Sequence, residues 1–351
     1  MKKINIGVIG GGYISQICYL PYLYKNKFCN LITIAESRPS LNKYLKSKYK
    51  NVKVIDDYNE LIKDPSIDSI VICVPRKSNS KISYQCLMNK KNVFCEKPMA
   101  YSIVDAKNIS IISKKNNLVY ATAYMKRFDH SVIFARKFIF NLIKSNSKGS
   151  LIKVNFINNS FKMNMKTPPH KKPLERRKLR LPEGKTSNIF LTKKNKISYD
   201  WFMNVLSHDI NLINFFFDLK KIKIMHSMIS SKSVDCNFNF LKTSINLSAS
   251  KSNYGFWGQS IEFIFENARV LINLKEPFDR IKLANITYYD NLQVNKPKNL
   301  SKYGSWCFES QINNFINVLY NKKSYIENNG GQILLELEFI EKLYKSNVFS
   351  K

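Results

Sequence analysis

Residues 4–15 read INIGVIGGGYIS, and this stretch decides how the beginning of the chain folds. Ile4–Ile9 is almost continuously apolar, which is typical of a strand that is buried on both faces. Gly10 and Gly12 follow it at the spacing G-x-G-x-x-S, and Ser15 stands where a third small residue is needed for packing. The pattern predicts a strand, a tight turn and a helix in direct succession.

The predicted turn has the properties that a pyrophosphate requires. Gly10 permits the tight turn, and Gly12 lets a phosphate approach the backbone because it carries no Cβ. The helix that opens at Tyr13 and Ile14 offers N–H groups and the positive end of its dipole to an anion. We therefore predict that Gly10, Gly12, Tyr13 and Ile14 bind a nicotinamide dinucleotide.

An acidic residue closes the second predicted strand. Glu36 lies 24 positions after Gly12 (36 minus 12), where a carboxylate accepts hydrogen bonds from ribose hydroxyls and repels a 2′-phosphate. This position favours NAD. Arg38 is also a predicted cofactor contact, and because an arginine there can bind a 2′-phosphate, NADP stays open.

The order of the predicted elements indicates the fold class. Strand-like and helix-like segments alternate up to residue 123, which predicts an α/β fold with a doubly wound parallel Rossmann sheet. Beyond it, Leu151–Phe161 alternates like a strand, Trp201–Phe217 is an apolar helix, and several strand-like runs follow. We predict an NAD(P)-binding domain at 1–123. At 124–351 we predict an α+β domain with a largely antiparallel sheet that binds substrate and pairs subunits, and whose closing helices are free to pack on the first domain.

Composition excludes several other classes of protein. The net charge of +32 (57 minus 25) comes from lysines spread over the whole chain, so a nucleic-acid-binding patch is not expected. Seven cysteines stand singly without a CxxC pair, which predicts neither a disulfide framework nor a metal site. The apolar runs are far shorter than the ~20 residues of a membrane span. We expect a cytoplasmic protein.

Residues 93–100 read VFCEKPMA, and with the glycine fingerprint they make the chain resemble a known family. It is similar to the glucose–fructose oxidoreductase / inositol dehydrogenase (Gfo/Idh/MocA) family, whose members carry an E-K-P motif after a Rossmann strand. Further segments that resemble the family are 72–75 (ICVP), 124–129 (YMKRFD), 207–212 (SHDINL) and 308–345.

This resemblance implies an NAD(P)-dependent oxidoreductase. Hydride would move between nicotinamide and a carbinol carbon of a sugar, a cyclitol or a nucleotide-sugar. Lys97 would then lie near the reacting hydroxyl, and Glu96 would orient it at the cofactor. Pro75 and Asn79 would line the cofactor side of the cleft, although relatives often have other residues around position 79.

The resemblance also implies candidate residues in the second domain. His208 would transfer a proton, and its ordinary pKa near 6.5 suits that role. Asn204 stands one helical turn earlier, where the family often has a carboxylate, and an amide orients a hydroxyl but cannot take its proton. Lys126 and Arg127 are expected to reach the substrate.

Two alternatives remain open at this point. The chain could be a catalytically inactive dinucleotide- or sugar-binding regulatory protein of the same fold, which the asparagine at position 204 favours. Residues 166–196 are rich in Lys, Arg and Pro and predict either a solvated loop or a flap that binds a phosphate-bearing substrate. A homo-oligomer is expected, since an exposed sheet face could pair subunits.

Overall fold

The computed structural model describes residues 2–161, 170–175, 181–186, 193–252, 257–291, 297–323 and 326–347. The chain forms two compact units. The first comprises Met1–Tyr124, Thr167–Ser187 and Phe308–Leu337, and the second Met125–Lys166, Asn188–Cys307 and Glu338–Lys351. The first unit thus includes two segments that lie within the range 124–351, which sequence reasoning assigned to a second domain.

The first unit is built on six parallel strands. They are β1 (Ile4–Ile9), β2 (Cys29–Ala35), β3 (Lys53–Ile55), β4 (Ser69–Ile72), β5 (Asn92–Glu96) and β6 (Tyr120–Ala123). Their order in the sheet is β3-β2-β1-β4-β5-β6, so the predicted doubly wound Rossmann sheet is confirmed. Strands β1 to β3 are added towards one edge of the sheet, and β4 to β6 are added from β1 towards the other edge. The carboxyl ends of β1 and β4 therefore form the switch point at which such sheets bind ligands.

Short helices connect these strands. They are α1 (Leu20–Lys25), α2 (Pro39–Lys48), α3 (Tyr58–Lys63), α4 (Asn79–Met88) and α5 (Ile103–Lys115). Side chains cap two of them, since Asp57 accepts from the N–H of Asn59 and Ser102 from the N–H of Asp105. The helix that opens at Tyr13 contains a π-helical turn, Ser15–Tyr19, because Pro21 lacks the N–H that would continue a regular ladder.

The second unit contains one mixed sheet of eight strands. They are β7 (Leu151–Phe161), β8 (Ile222–Ile229), β9 (Ser233–Phe240), β10 (Thr243–Ser252), β11 (Gly258–Phe265), β12 (Ala268–Leu274), β13 (Asn285–Asp290) and β14 (Lys298–Asn299). The order is β14-β13-β12-β11-β7-β10-β9-β8, and only β7 and β10 pair in parallel. The predicted largely antiparallel sheet is confirmed.

Helices also belong to the second unit. They are α6 (His130–Ser145), α7 (Lys193–Trp201) and α8 (Ser207–Phe216). The single helix predicted at 201–217 is instead interrupted by a π-helical turn, Phe202–Leu206, and α7 begins inside the predicted loop 166–196. Aromatic contacts anchor the helices, for example Phe216 of α8 against Phe263 of β11 at 4.9 Å between ring centres.

Two closing helices complete the fold, α9 (Cys307–Tyr320) and α10 (Gly330–Lys345). Within the first unit, Phe315 of α9 packs on Phe94 of β5 at 5.3 Å, and Tyr320 packs on Phe28 at 4.7 Å. The boundary between the units falls within α10, after Leu337.

Candidate active site

The glycine turn after β1 adopts a conformation that its first glycine makes possible. Gly10 has φ +95°, and a Cβ there would lie 2.2 Å from the carbonyl oxygen of Cys73. A Cβ on Gly12 would meet only Arg38 Nη2, at 3.5 Å, which is an ordinary contact. Gly10 is thus required by the fold, whereas a Cβ on Gly12 would meet no other atom than Arg38 Nη2 within 4 Å. Ser15 is completely buried, in agreement with its predicted packing role.

Gly11 contributes to the turn although sequence reasoning assigned it no role. Its N–H donates to Oε2 of Glu36 at 2.9 Å, and a Cβ there would lie 2.3 Å from Cδ1 of Leu45. The signal was the run of three glycines, of which the motif explains only the first and the third. Gly11 therefore connects the phosphate-binding turn to the carboxylate at the end of β2.

Glu36 is held in place by four hydrogen bonds. Besides the bond from Gly11, its carboxylate accepts from the N–H, Nε and Nη2 of Arg38, at 3.0, 2.8 and 2.7 Å. Burial alone would raise the pKa of Glu36, but the hydrogen bonds and charge of Arg38 lower it below its ordinary value. The residue is therefore a carboxylate at neutral pH. Because a carboxylate offers about four acceptor positions, a ribose hydroxyl that binds it must displace part of Arg38.

A cavity lies beside Glu36 at the carboxyl ends of β1, β2 and β4. Its lining consists of Ile9, Gly10, Ala35, Glu36, Ser37, Asp56, Tyr58, Val74 and Leu181. Asp56 accepts from Nδ2 of Asn42 at 2.7 Å, which fixes its carboxylate at the rim. Sequence reasoning did not select Asp56, Tyr58 or Leu181. The lining combines apolar side chains with the carboxylates of Glu36 and Asp56, which suits a flat heterocycle such as adenine.

The E-K-P segment directly follows β5 at the same edge of the sheet. Oε1 of Glu96 accepts from the hydroxyl of Tyr19 at 2.5 Å, and its Oε2 accepts from the N–H of Lys97 at 3.1 Å. Burial raises the pKa of Glu96, and Tyr19 and Lys97 only partly oppose this shift. The peptide bond between Lys97 and Pro98 is cis. Glu96 thus fixes the backbone from which Lys97 projects.

Asn79 strengthens the same segment. Its Nδ2 donates to the carbonyl oxygens of Glu96 and Pro98, at 2.6 and 2.9 Å. The amide group predicted to contact the cofactor therefore holds the backbone around Lys97. Pro75 precedes a single 3₁₀ turn, Arg76–Ser78, and lies exposed beyond the end of β4.

Tyr13 and Ile14 form the first turn of the helix after the fingerprint, as predicted. Both are partly buried, and the ring of Tyr13 meets the ring of His170 edge to face at 4.6 Å. The predicted loop 166–196 therefore reaches the fingerprint through one of its described parts.

A buried polar network occupies the core of the second unit. Nζ of Lys126 donates to Oε1 of Gln259 at 2.5 Å, while Nε2 of Gln259 and Nδ2 of Asn158 donate to Asp209 at 2.8 and 2.6 Å. Burial lowers the pKa of Lys126 to about 8 and raises that of Asp209. Sequence reasoning assigned Asp209 no role. In the structure, both side-chain oxygens of Asp209 accept a hydrogen bond.

Arg127 forms hydrogen bonds with the backbone of α8. Its Nε and Nη2 donate to the carbonyl oxygen of Asn211, at 3.1 and 2.6 Å, and its guanidinium lies 5.4 Å from the ring centre of Phe215. Only 3% of the residue is exposed. This use of the guanidinium leaves the predicted substrate contact of Arg127 without support, and the same holds for the buried ammonium of Lys126.

His208 and Asn204 lie around the junction between a π-helical turn and α8. Asn204 belongs to the turn Phe202–Leu206 and is partly buried, and His208 is the second residue of α8 and only 7% exposed. Both π-helical turns of the described chain adjoin predicted site residues, since the other follows the glycine fingerprint. Such turns are rare and are frequent at functional sites.

No helix in the ranges that the structure describes is long and apolar enough to cross a membrane. Those same ranges contain no group of three or more His, Cys, Asp or Glu side chains that could hold a metal ion.

Comparison with known proteins matches the first unit to one family. Residues 4–124 fit the model of the family described as "Oxidoreductase family, NAD-binding Rossmann fold" (GFO_IDH_MocA). Myo-inositol 2-dehydrogenase of Thermotoga maritima is 31% identical over 128 residues, which are 36% of this chain and 38% of that protein. Levoglucosan dehydrogenase of Pseudarthrobacter phenanthrenivorans is 27% identical over 146 residues, 40% of this chain and 37% of that protein. The matches thus span well under half of these relatives.

Among solved structures, the likeness extends over the whole fold. A 3-ketoreductase from Actinomadura kijaniata, solved in complex with NADP and TDP-benzene, superposes with a TM-score of 0.74 at 12% identity, covering 99% of this chain and 98% of that one. At this identity the likeness establishes the fold alone. Residues 4–124 of the chain are thus similar to the NAD-binding Rossmann domain of the Gfo/Idh/MocA family of oxidoreductases.

Proposed function

We propose that the chain is an NAD(P)-dependent oxidoreductase that transfers a hydride between nicotinamide and a carbinol carbon of a sugar, a cyclitol or a nucleotide-sugar. One observation carries this proposal. Lys97 follows β5 at the sheet edge that also holds the glycine turn and Glu36, and Glu96 and Asn79 fix the backbone around it. A dinucleotide-binding edge with a fixed lysine beside it suits alcohol oxidation or carbonyl reduction.

The residues present fit a nicotinamide dinucleotide. The open space at Gly12 admits a pyrophosphate, and Glu36 supplies a buried carboxylate for ribose hydroxyls. When bound, the dinucleotide supplies the hydride acceptor or donor that side chains lack. We propose NAD as the preferred cofactor, because Glu36 would face a 2′-phosphate with a charge of the same sign.

We propose that Lys97 interacts with the reacting hydroxyl of the substrate. In carbonyl reduction its ammonium would stabilise the negative charge that develops on the substrate oxygen and donate a proton to it, and in alcohol oxidation the neutral amine would accept that proton. The backbone contacts of Asn79 and Glu96 restrict the positions open to it. A group that is already oriented loses little entropy during the reaction.

In the second unit we propose His208 as a proton-transfer residue and Asn204 as a hydrogen-bonding partner of a substrate hydroxyl. Their place beside a π-helical turn supports the proposal. Lys126 and Arg127 instead fix the core of this unit and the backbone of α8.

The proposed substrate class has support from named relatives. The matched dehydrogenases act, by their names, on myo-inositol and levoglucosan, and the structural neighbour binds a TDP compound. Polyhydroxylated rings, free or nucleotide-linked, are therefore the compounds with which a screen should begin.

The substitution Lys97→Met tests the proposed function. On whichever cyclitol or sugar the unaltered protein turns over, we expect kcat to fall about 100-fold, within the range for loss of a general acid or base. The Kd for NAD⁺ should change less than twofold. Lys115→Met, at an exposed position of α5, is the matched control and should retain full activity.

Two results would count against this assignment. Equal kcat in Lys97→Met and unaltered protein would remove Lys97 from the chemistry. NAD⁺ binding without turnover of any polyol, sugar or nucleotide-sugar would favour the regulatory alternative.

A further inference from the structure

Parts of the predicted loop 166–196 lie along the cofactor edge of the first unit. We call residues 170–175 and 181–186 the strap. Backbone atoms of the strap form hydrogen bonds with other parts of the first unit. The pairs are Lys171 with Gln16, Leu174 with Ser40, Gly184 with Lys77, and Lys185 with Asp105. The strap thus contacts the fingerprint helix, the start of α2, the 3₁₀ turn after β4 and the start of α5, all around the carboxyl edge of the sheet.

The strap also contributes to the adenosine end of this edge. Leu181 lines the cavity beside Glu36 together with Tyr58 and Val74. A dinucleotide whose adenine enters that cavity would have the strap as one wall. Side chains of the strap are therefore placed to influence which adenosine derivative binds.

Glu175 of the strap lies at the N-terminus of α2, a position that favours an anion. Its Oε1 accepts from the N–H and from the hydroxyl of Ser40, at 2.8 and 3.0 Å. Ser40 is the second residue of α2, a helix of ten residues, and its N–H is one of those that no helical partner satisfies. The charge of Arg38 attracts the same carboxylate, and these contacts lower the pKa of Glu175.

The donors that hold Glu175 are those that a 2′-phosphate would use. A 2′-phosphate projects from the ribose whose hydroxyls meet the acidic residue at the end of β2, and a nearby arginine accommodates it. Here that acidic residue is Glu36. The N–H and hydroxyl of Ser40 donate to Glu175, whereas the guanidinium of Arg38 donates to Glu36 and attracts Glu175 through its charge. Residues 36–40 thus offer a 2′-phosphate the donors of Arg38 and Ser40, although Glu36 opposes it with a charge of the same sign.

We propose that Glu175 sets the cofactor preference by occupying the 2′-phosphate position, so that the strap excludes NADP and admits NAD. This inference rests on the proposed function, because it concerns the dinucleotide that the function requires. A 2′-phosphate carries roughly two negative charges and would have to displace Glu175 while lying near Glu36. NAD carries a hydroxyl there and leaves Glu175 in place.

The substitutions Glu175→Gln and Glu175→Ala test the proposal. Glutamine keeps an oxygen that accepts from Ser40 but loses the charge, and alanine loses both. We expect the Kd for NADP⁺ to fall about tenfold in at least one variant, since removing a like charge from a binding site favours an anion. The Kd for NAD⁺ should change less than twofold. Glu183→Gln is the matched control, because it removes the same charge from an exposed strap position.

Isothermal titration with NAD⁺ and NADP⁺ at one fixed ionic strength distinguishes the outcomes. An unchanged ratio of the two Kd values in both variants, with normal NAD⁺ binding, would overturn the role of Glu175 and leave the proposed function standing. Failure of every protein, including the unaltered one, to bind either dinucleotide would overturn both proposals. A matching gain in Glu183→Gln would show a general charge effect and would also overturn the role of Glu175.

Discussion

Gly10→Ala is expected to lower the free energy of unfolding by at least about 3 kcal/mol. A residue with a side chain at a positive φ costs on the order of 1–3 kcal/mol, and Gly10 has φ +95°. The added Cβ would also lie 2.2 Å from the carbonyl oxygen of Cys73. Since that atom is backbone, relief requires β1 and the end of β4 to separate, and these strands form the centre of the sheet. Chemical denaturation monitored by circular dichroism measures the effect.

Gly12→Ala is the matched control for this prediction. The new Cβ would make an ordinary 3.5 Å contact with Arg38 Nη2, so stability should stay within about 1 kcal/mol of the unaltered protein. Dinucleotide affinity should nevertheless fall, because the methyl group enters the space that a pyrophosphate needs. Equal stability of Gly10→Ala and the unaltered protein would show that the turn after β1 is not the one described.

Asp209→Asn is expected to lower the free energy of unfolding by about 3 kcal/mol. Both oxygens of Asp209 accept from amide N–H groups, those of Asn158 and Gln259, whereas asparagine can accept on one side only. One amide donor would then face another in a region closed to water. Lys126 would also lose the negative charge that compensates its own burial.

Asp235→Asn is the matched control for Asp209→Asn. Asp235 is exposed on β9, so the same chemical change there should alter stability by less than about 0.5 kcal/mol. A destabilisation of Asp209→Asn as small as that of Asp235→Asn would mean that Asp209 is protonated and that the network carries no charge.

The Rossmann sheet of the first unit was predictable because its signals are local. Buried parallel strands are short apolar runs, and the glycine turn and E-K-P each lie within a few residues of the strand that precedes them. Gly10 illustrates this point, since the motif places it where the structure requires a positive φ. Pro21 is a local signal as well, because a proline inside a helix interrupts its hydrogen-bond ladder, here beside the π-helical turn Ser15–Tyr19.

The strap was not predictable, because its contacts join distant parts of the chain. Ser40 and Glu175 are 135 residues apart, and Gln16 and Lys171 are 155 apart. Each contact is a single hydrogen bond or a pair, which leaves no periodic pattern in the sequence. A lysine- and proline-rich segment therefore indicated only a loop.

The role of Asp209 was missed for a different reason. Asn158 follows Val154 and Phe156 at alternate positions of β7 and therefore faces the core, where a polar residue implies hydrogen-bonding partners. Gln259 stands opposite Asn158 in β11. The alternation was visible in the sequence, but the pairing that brings the two amides together was not.

The most direct test of the account is a thermal or chemical unfolding titration of the unaltered protein with NAD⁺, NADH, NADP⁺ and NADPH. A ligand at about 100 times its Kd stabilises the folded state by about 2.7 kcal/mol. We predict that NAD⁺ or NADH produces a shift of this size, that NADP⁺ and NADPH produce a smaller one at equal concentration, and that Glu36→Ala weakens the effect of NAD⁺. Absence of stabilisation by all four dinucleotides would contradict the central claim that the edge formed by the glycine turn, Glu36 and Lys97 is a nicotinamide cofactor site.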